Sequence, residues 1–191
     1  MDLNEAITGR RAVREYTAED IDELTVSKLI DAAIQAPSAM NEQPWTFTVL
    51  RNQQLLDQIS DAAKALVLRT MELKTMHPPL SSEQFQSHLK DPEFQIFYHA
   101  PVLILISANT DGEEVIEDCA LAAENLMLAA YAAGLGTCWI GLAQNFLNST
   151  EGKHLLGVPP AWVSVAPIIV GHAKSPAPAV PRKKPEILLV N

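Results

Sequence analysis

The sequence has little positive charge and few cysteines. Of its 191 residues, 14 are Lys or Arg and 23 are Asp or Glu, which gives a net charge of −9. Nucleic acids and anionic membranes bind basic surfaces, so this balance argues against both kinds of partner. Cys119 and Cys138 are too few for a disulfide framework, and no CxxC or HExxH motif is present. The sequence therefore favours neither a disulfide scaffold nor a metal site.

Long apolar runs and an export signal are also missing. The longest apolar runs, such as residues 100–108, fall short of the roughly 20 residues that a membrane-spanning helix needs. The opening MDLNE lacks the basic-then-apolar order of a signal peptide. With 48% hydrophobic and 19% charged residues, the composition is that of an ordinary globular protein. We therefore expect one domain over residues 1–191, located in the cytoplasm.

Apolar periodicity predicts the main helices. Thr17 and Asp20 resemble a capping box, followed by an apolar face at helical spacing that ends before Pro37. Residues 52–73 give a second, mixed polar and apolar helix. Residues 115–133 are apolar nearly all round, which predicts a helix buried on every side, in a core or in a subunit interface.

Four further runs have strand character, at residues 45–50, 101–106, 137–140 and 162–170. Pro167 lies within the last of them, so we expect it at a sheet edge or a bulge. Residues 75–98 are irregular and suggest a lid or binding loop. Apolar residues in and beside this segment could cover a ligand or simply pack in the core: Met71, Met76, Phe85, Phe94 and Phe97.

The C-terminal end is an extended arm, residues 172–191, which holds four prolines and closes with the strand-like residues 186–190. An apolar strand on such an arm needs a sheet edge. We expect it to join the sheet of a second subunit; the alternative is a return to its own sheet.

Three segments carry candidate chemistry. Six of the cations lie in two clusters, residues 10–14 and 182–184, which could converge on a phosphate or remain two solvated patches. Residues 36–45 place a hydroxyl and amides between two prolines before a strand, which fits a ligand loop or an ordinary connection. Residues 134–141 contain three glycines, which would let the backbone approach a flat ligand or would cap a helix.

Together these segments resemble the nitroreductase family, whose members are flavin-dependent NAD(P)H oxidoreductases that work as homodimers. The resemblance covers nearly the whole chain in the family's order, with RRAVR, PSAMNEQPW, APVL, the glycine-containing stretch and RKKP. It implies an α+β fold with a central mixed, mostly antiparallel sheet flanked by helices. It also implies that a C-terminal strand is exchanged between the subunits of a dimer.

The resemblance implies FMN as the cofactor. Arg10 and Arg11 would bind its phosphate, with Arg182 and Lys184 reaching it from the arm. Arg14 would lie near N1 and O2 of the flavin ring, where a fixed cation stabilises the negative charge of the reduced form.

The other implied contacts come from two further segments. Ser38, Asn41 and the backbone around Pro37 would come from the partner subunit. The remaining implied contacts to the cofactor are Ala12, Ala39, Gln43, Ile140, Gly141 and Leu142, with a backbone amide of Gly141 or Leu142 facing N5. The chain departs from the family at Ala12 and Ala39, where Ser is frequent, and at Gly141-Leu142, where larger members carry Glu-Gly.

The implied reaction is a hydride transfer from NADH or NADPH through flavin N5 to a nitroaromatic, quinone or related acceptor, with ping-pong kinetics. No side chain is expected to act as a nucleophile, although Tyr98 or His99 could donate a proton. The alternatives are another reduction on the same flavin fold, such as dehalogenation or azo or enone reduction, and a flavin-binding module with little turnover.

Overall fold

The computed structural model describes residues 1–72, 83–110, 112 and 114–190. Its helices are α1 (Leu3–Gly9), α2 (Glu23–Ala33), α3 (Gln53–Glu72), α4 (Glu83–Lys90), α5 (Val115–Ala132), α6 (Gly141–Leu147) and α7 (Thr150–Leu156). Its strands are β1 (Trp45–Leu50), β2 (Val102–Ala108), β3 (Gly136–Trp139) and β4 (Val163–Gly171). The strands form one antiparallel sheet in the order β1-β2-β4-β3. The predicted α+β class is confirmed.

The sheet divides the core into two layers, because β2 is buried along its whole length. Val102, Ile104 and Ile106 point to one face, where α2 and α5 pack. Leu103 and Leu105 point to the other face, where α3 and α6 pack. This central strand explains why the run of apolar residues in the sequence does not alternate with polar ones.

The start of α2 differs from the prediction. The helix is capped by Asp22, whose carboxylate accepts the backbone N–H of Thr25 at 2.8 Å and its hydroxyl at 2.7 Å. The predicted box at Thr17 and Asp20 is therefore wrong. Asp20 instead pairs with Arg51 at 3.0 Å. Asp22 is the better cap because Thr25 offers it two donors.

The long helix α5 is not buried on every side. Its inner face is buried, but Ile116 and Leu121 on its outer flank are 55% and 47% exposed in the single chain. The prediction of burial all round is thus wrong for one chain, and the subunit-interface alternative stays a prediction. None of the helices in the described ranges combines the length and apolar character that crossing a membrane requires.

Pro167 lies in β4, which is an internal strand, so the predicted edge position is wrong. A register shift between Ile106 and Ser107 of β2 provides an irregularity close by. The Pro167 carbonyl accepts the N–H of Ile140 at 2.8 Å, just beyond the end of β3. Because the N and O atoms of a strand residue point to the same side, the missing N–H of Pro167 points to where β3 has already ended.

The two outer strands of the sheet differ in how they are covered. Residues 12–13 run parallel to β3, with Ala12 bridging Thr137 and the N–H of Val13 donating to the Thr137 carbonyl at 2.9 Å. This bridge is the one parallel contact in the otherwise antiparallel sheet of the described residues. Beyond β1, the described residues contain no further paired strand.

The segment between α3 and β2 contributes to the core. Met71 and Phe97 are buried, which confirms packing for these two residues. Phe85 and Phe94 are partly buried against the cluster that contains Met71. Met76, by contrast, lies outside the described residues.

Residues 174–190 contain neither helix nor paired strand. Ile187, Leu188, Leu189 and Val190 are 75–88% exposed. A return of residues 186–190 to their own sheet is therefore wrong, while exchange with a second subunit stays a prediction.

Candidate active site

The arginine-rich segment, residues 10–14, lies along the outer edge of β3. It is fixed there by the bond between Val13 and Thr137, and Gly136 makes the close approach possible. A Cβ atom at Gly136 would lie 2.8 Å from the Val13 side chain, so only glycine fits without displacing the segment. Because the segment runs parallel to β3, Arg10 lies towards the start of that strand and Arg14 towards its end.

Arg10 and Arg14 share one side of this segment. The Arg10 guanidinium pairs with Glu124 of α5 at 3.8 Å. Both cations lie near the Cys138 thiol: burial raises the pKa of that thiol, and the charges of Arg14 and Arg10 oppose the shift. Ala12, which lies between them, is exposed. Two cations on this side, roughly 13 Å apart if the chain is fully extended, provide two separate anchor points for one ligand.

Arg11 is directed to the other side of the segment. Its Nη1 donates to the carbonyls of Thr8 at 2.8 Å and Arg10 at 2.6 Å, which closes the end of α1. It lines a cavity of about 450 Å³ together with Gly9 and Val13, and Arg10 and Arg14 do not. The structure therefore separates Arg11 from the two arginines that sequence analysis grouped with it.

The loop that joins α2 to β1, residues 37–44, has an unusual backbone. Met40, Asn41 and Gln43 have φ angles of 49°, 58° and 50°, in the left-handed region that non-glycine residues seldom adopt. The Ser38 hydroxyl accepts the N–H of Gln43 at 2.9 Å and closes the loop. Strained residues of this kind cluster at ligand sites, where the surrounding structure holds them.

Pro37, Asn41 and Gln43 are exposed in the single chain, whereas Ser38 and Ala39 are half-buried. The loop also has an anchor that sequence analysis missed. Asp118 of α5, which is 5% exposed, accepts the Ala39 N–H at 3.1 and 3.3 Å from its two oxygens. A carboxylate on the apolar face of a helix is the one signal in the sequence that could have indicated it.

The third predicted segment lies where β3 passes into α6. Ile140 is buried, and Gly141 and Leu142 are the first residues of α6, whose N–H groups have no carbonyl one turn earlier to bond. A Cβ atom at Gly141 would meet nothing within 4 Å. The space beside Gly141 is thus open, next to the Arg14 end of the arginine-rich segment.

The Tyr98 side chain lies close to Arg14. Tyr98 and His99 both have left-handed backbones, with φ angles of 52° and 53°. Burial raises the pKa of the Tyr98 hydroxyl, and the nearby Arg14 charge opposes this. The Tyr98 ring stacks edge-on against Phe94, with 5.8 Å between the ring centroids.

Both cysteines are buried. Burial, helped by the charge of Asp118, raises the pKa of the Cys119 thiol to about 12. Because the thiolate is the nucleophilic form, this shift lowers the reactivity of the thiol, and the predicted inertness of both cysteines stays a prediction.

One chain does not bring all the predicted residues together. Thr137, beside Ala12, is level with Val102 at the start of β2, whereas Trp45, after the loop, is level with Ala108 at its end. The loop and the arginine-rich segment therefore lie at opposite corners of the sheet, about 20 Å apart along the strands. Because the segment lies one strand beyond β3, they are also about 19 Å apart across the strands. Arg182 and Lys184 are exposed and make no ion pair or hydrogen bond with any residue that the structure describes.

Known proteins resemble this chain in sequence and in fold. Residues 7–172 match the model of the family described as "Nitroreductase family". A protein of Methanothermobacter thermautotrophicus, provisionally named NADH dehydrogenase/NAD(P)H nitroreductase, is 30% identical over an alignment of 177 residues that covers 90% of this chain and 78% of that protein.

Two solved structures are similar over almost their whole length. An FMN-dependent nitroreductase of Clostridium difficile R20291 is 26% identical, with a TM-score of 0.76 and 98% of each chain covered. A nitroreductase of Bacteroides fragilis with bound FMN is 24% identical, with a TM-score of 0.79 and 100% of each chain covered.

Proposed function

The chain belongs to the nitroreductase family, and from this membership and the site above we propose that it is an FMN-dependent oxidoreductase. It uses NAD(P)H to reduce small aromatic or conjugated acceptors such as nitroaromatics and quinones. The observation that carries the proposal is the position of the arginine-rich segment. The Val13–Thr137 hydrogen bond holds the segment along β3, with Arg10 at one end and the open space at Gly141 beyond the other.

The residues present fit FMN. Arg10 would hold the phosphate, because a guanidinium donates two parallel bonds to phosphate oxygens. The backbone N–H of Ala12 lies in the same segment and could also donate to the phosphate. Because Ala12 lacks the hydroxyl of the serine that is frequent in the family at this position, FMN binding would lose on the order of 1 kcal/mol. Arg182 and Lys184 would add charge once the arm is placed against a second subunit. Arg11 supports this end of the site by closing α1.

The other end of the segment suits a flavin ring. Bound FMN supplies the redox chemistry, accepting hydride from NAD(P)H at N5 and passing it to the acceptor. Arg14 would place a fixed positive charge at N1 and O2, where negative charge accumulates. The N–H of Gly141 or Leu142 would face N5, and the absence of a side chain at Gly141 leaves room for the ring. One open face for both substrates in turn predicts ping-pong kinetics.

We also propose that the working unit is a homodimer. The loop of residues 37–44 is too far from Arg14 to complete the site of its own chain, so Pro37, Ser38, Ala39, Asn41 and Gln43 would serve the partner's flavin. The unpaired outer edge of β1 and the exposed flank of α5 are the surfaces that fit a second copy. The strand-like residues 186–190 would pair with that edge of β1 in the partner.

An absorption spectrum of the purified protein tests the proposed function. We expect the two flavin bands, and we expect them to bleach when NADH or NADPH is added without oxygen and to return when an acceptor is supplied. A colourless protein that takes up no added FMN would contradict the cofactor assignment. A yellow protein that neither nucleotide bleaches would support the alternative of a flavin-binding module.

A further inference from the structure

The loop of residues 38–43 holds a strained conformation that its own hydrogen bonds do not explain. The Ser38 hydroxyl bonds Gln43, and the N–H of Asn41 donates to the Ser38 carbonyl at 3.1 Å, but both bonds lie within the loop. They fix its shape and leave its position open. Left-handed backbone angles are unfavourable for residues other than glycine, so a contact from outside the loop is needed to keep it in place.

Asp118 supplies that contact. It lies in the first turn of α5, where the positive end of the helix dipole favours a carboxylate. Both of its oxygens face the Ala39 N–H, which is 79 residues away in the sequence. A buried carboxylate is costly unless it is hydrogen-bonded, so loss of this contact would leave Asp118 without the donor that its burial requires. The bond therefore ties the position of the loop to that of α5.

The same helix also contacts the arginine-rich segment. Glu124 pairs with Arg10 from a position six residues after Asp118, about 9 Å further along the helix axis. One rigid element thus contacts both the loop that would serve the partner's flavin and the arginine that would bind the chain's own. A shift of the loop relative to α5 would therefore move Ala39 and Asn41 relative to Arg10 and relative to the partner's flavin.

We propose that Asp118 is a positioning residue for the cofactor. By accepting the Ala39 N–H, it holds the loop of residues 38–43 in the position in which the loop contacts the partner's FMN. This inference rests on the proposed function. It assigns to Asp118 no contact with FMN, NAD(P)H or the acceptor.

The test compares four variants of the full-length dimer. Asp118→Ala removes both acceptor oxygens, and Asp118→Asn keeps one. Glu117→Gln removes a neighbouring exposed charge on the same helix, and Ala130→Gly lowers the stability of α5 far from the loop. The measurements are the rate of FMN release, followed by flavin fluorescence after dilution, and hydrogen–deuterium exchange of the Ala39 amide.

We expect Asp118→Ala to release FMN about tenfold faster, the effect of losing one hydrogen bond to a charged group, and to expose the Ala39 amide to exchange. We expect Asp118→Asn to bring the rate of FMN release and the exchange of the Ala39 amide most of the way back to the wild-type values. We expect Glu117→Gln to match the wild type. Ala130→Gly should melt earlier with unchanged FMN release, which separates positioning from general stability.

Two results would overturn the inference. One is FMN release from Asp118→Ala at the wild-type rate, and the other is faster release that Ala130→Gly reproduces at equal loss of melting temperature. Either leaves the proposed function standing, since the wild type still binds FMN. A wild type that binds no FMN overturns the proposed function and this inference together.

Discussion

Arg10 and Arg11 are neighbours in the sequence, yet the structure predicts opposite consequences for their replacement. Arg10→Ala removes the guanidinium proposed to bind the FMN phosphate. A hydrogen bond to a charged group is worth about 1.5–3 kcal/mol, so FMN should bind about 10- to 150-fold more weakly. Stability should change little, because the ion pair that is lost is a 3.8 Å contact to the half-exposed Glu124.

Arg11→Ala should act on stability instead. It deletes the donor that bonds the carbonyls of Thr8 and Arg10 at the end of α1. A loss of about 1–2 kcal/mol corresponds to a fall of roughly 2–8 °C in the melting temperature of a domain of this size. The affinity for FMN should stay within about threefold of the wild type.

The assay is a titration of flavin-free protein with FMN, followed by fluorescence quenching, with a thermal melt of each variant. Lys28→Ala, which removes an exposed charge from α2, is the control for net charge. Equal loss of FMN affinity in Arg10→Ala and Arg11→Ala at unchanged melting temperature would refute the argument from orientation. Wild-type affinity in both would refute the phosphate assignment itself.

Two other predictions concern the arm and the thiols. Deletion of residues 186–191 should weaken the dimer, because it removes the strand proposed to cover the partner's β1 edge; light scattering during size-exclusion chromatography over a dilution series measures this, and an unchanged dimer would contradict strand exchange. With a thiol pKa of about 12, only about one Cys119 in 10,000 is a thiolate at pH 8. Iodoacetamide should therefore leave the intact mass of the native protein unchanged, whereas the urea-unfolded protein should gain two adducts. Rapid labelling of native Cys119 would show that the site opens.

The elements that sequence analysis predicted well are those that local patterns determine. Residues 101–106, predicted as a strand that is apolar on both faces, lie mostly in the internal strand β2 (Val102–Ala108). Residues 115–133, predicted as a helix that is apolar nearly all round, contain α5 (Val115–Ala132). Of the glycines for which a helix cap was one of the two interpretations, Gly134 follows α5 with a left-handed φ of 79°.

The predictions that failed depend on a choice between local alternatives or on which side of a strand is occupied. Thr17 and Asp22 both precede a helical pattern, and only the second donor of Thr25 decides between them. For Pro167, a strand position is allowed when no neighbouring strand lies on the side to which its own nitrogen points. That side is determined by where β3 ends, which the residues around Pro167 do not encode.

Within the site, alternation along an extended segment was available in the sequence and would have separated Arg11 from Arg10 and Arg14. Asp118 was beyond such reasoning, because its partner Ala39 is 79 residues away and the bond is to backbone. A buried carboxylate in an apolar helix indicates that some donor faces it, but it does not identify which donor.

The arginine-rich segment and the loop of residues 37–44 occupy opposite corners of one sheet, and this separation is itself an argument about assembly. If both bind one ligand, no rearrangement of loops within a single chain can join them, since β1 and β3 are held apart by β2 and β4. A second copy removes the difficulty, because a two-fold axis beside α5 can bring the loop of one chain to the arginines of the other. The exposed Ile116 and Leu121, the strained loop and the uncovered edge of β1 then have one common explanation. A protein that binds FMN stoichiometrically as a monomer would contradict it.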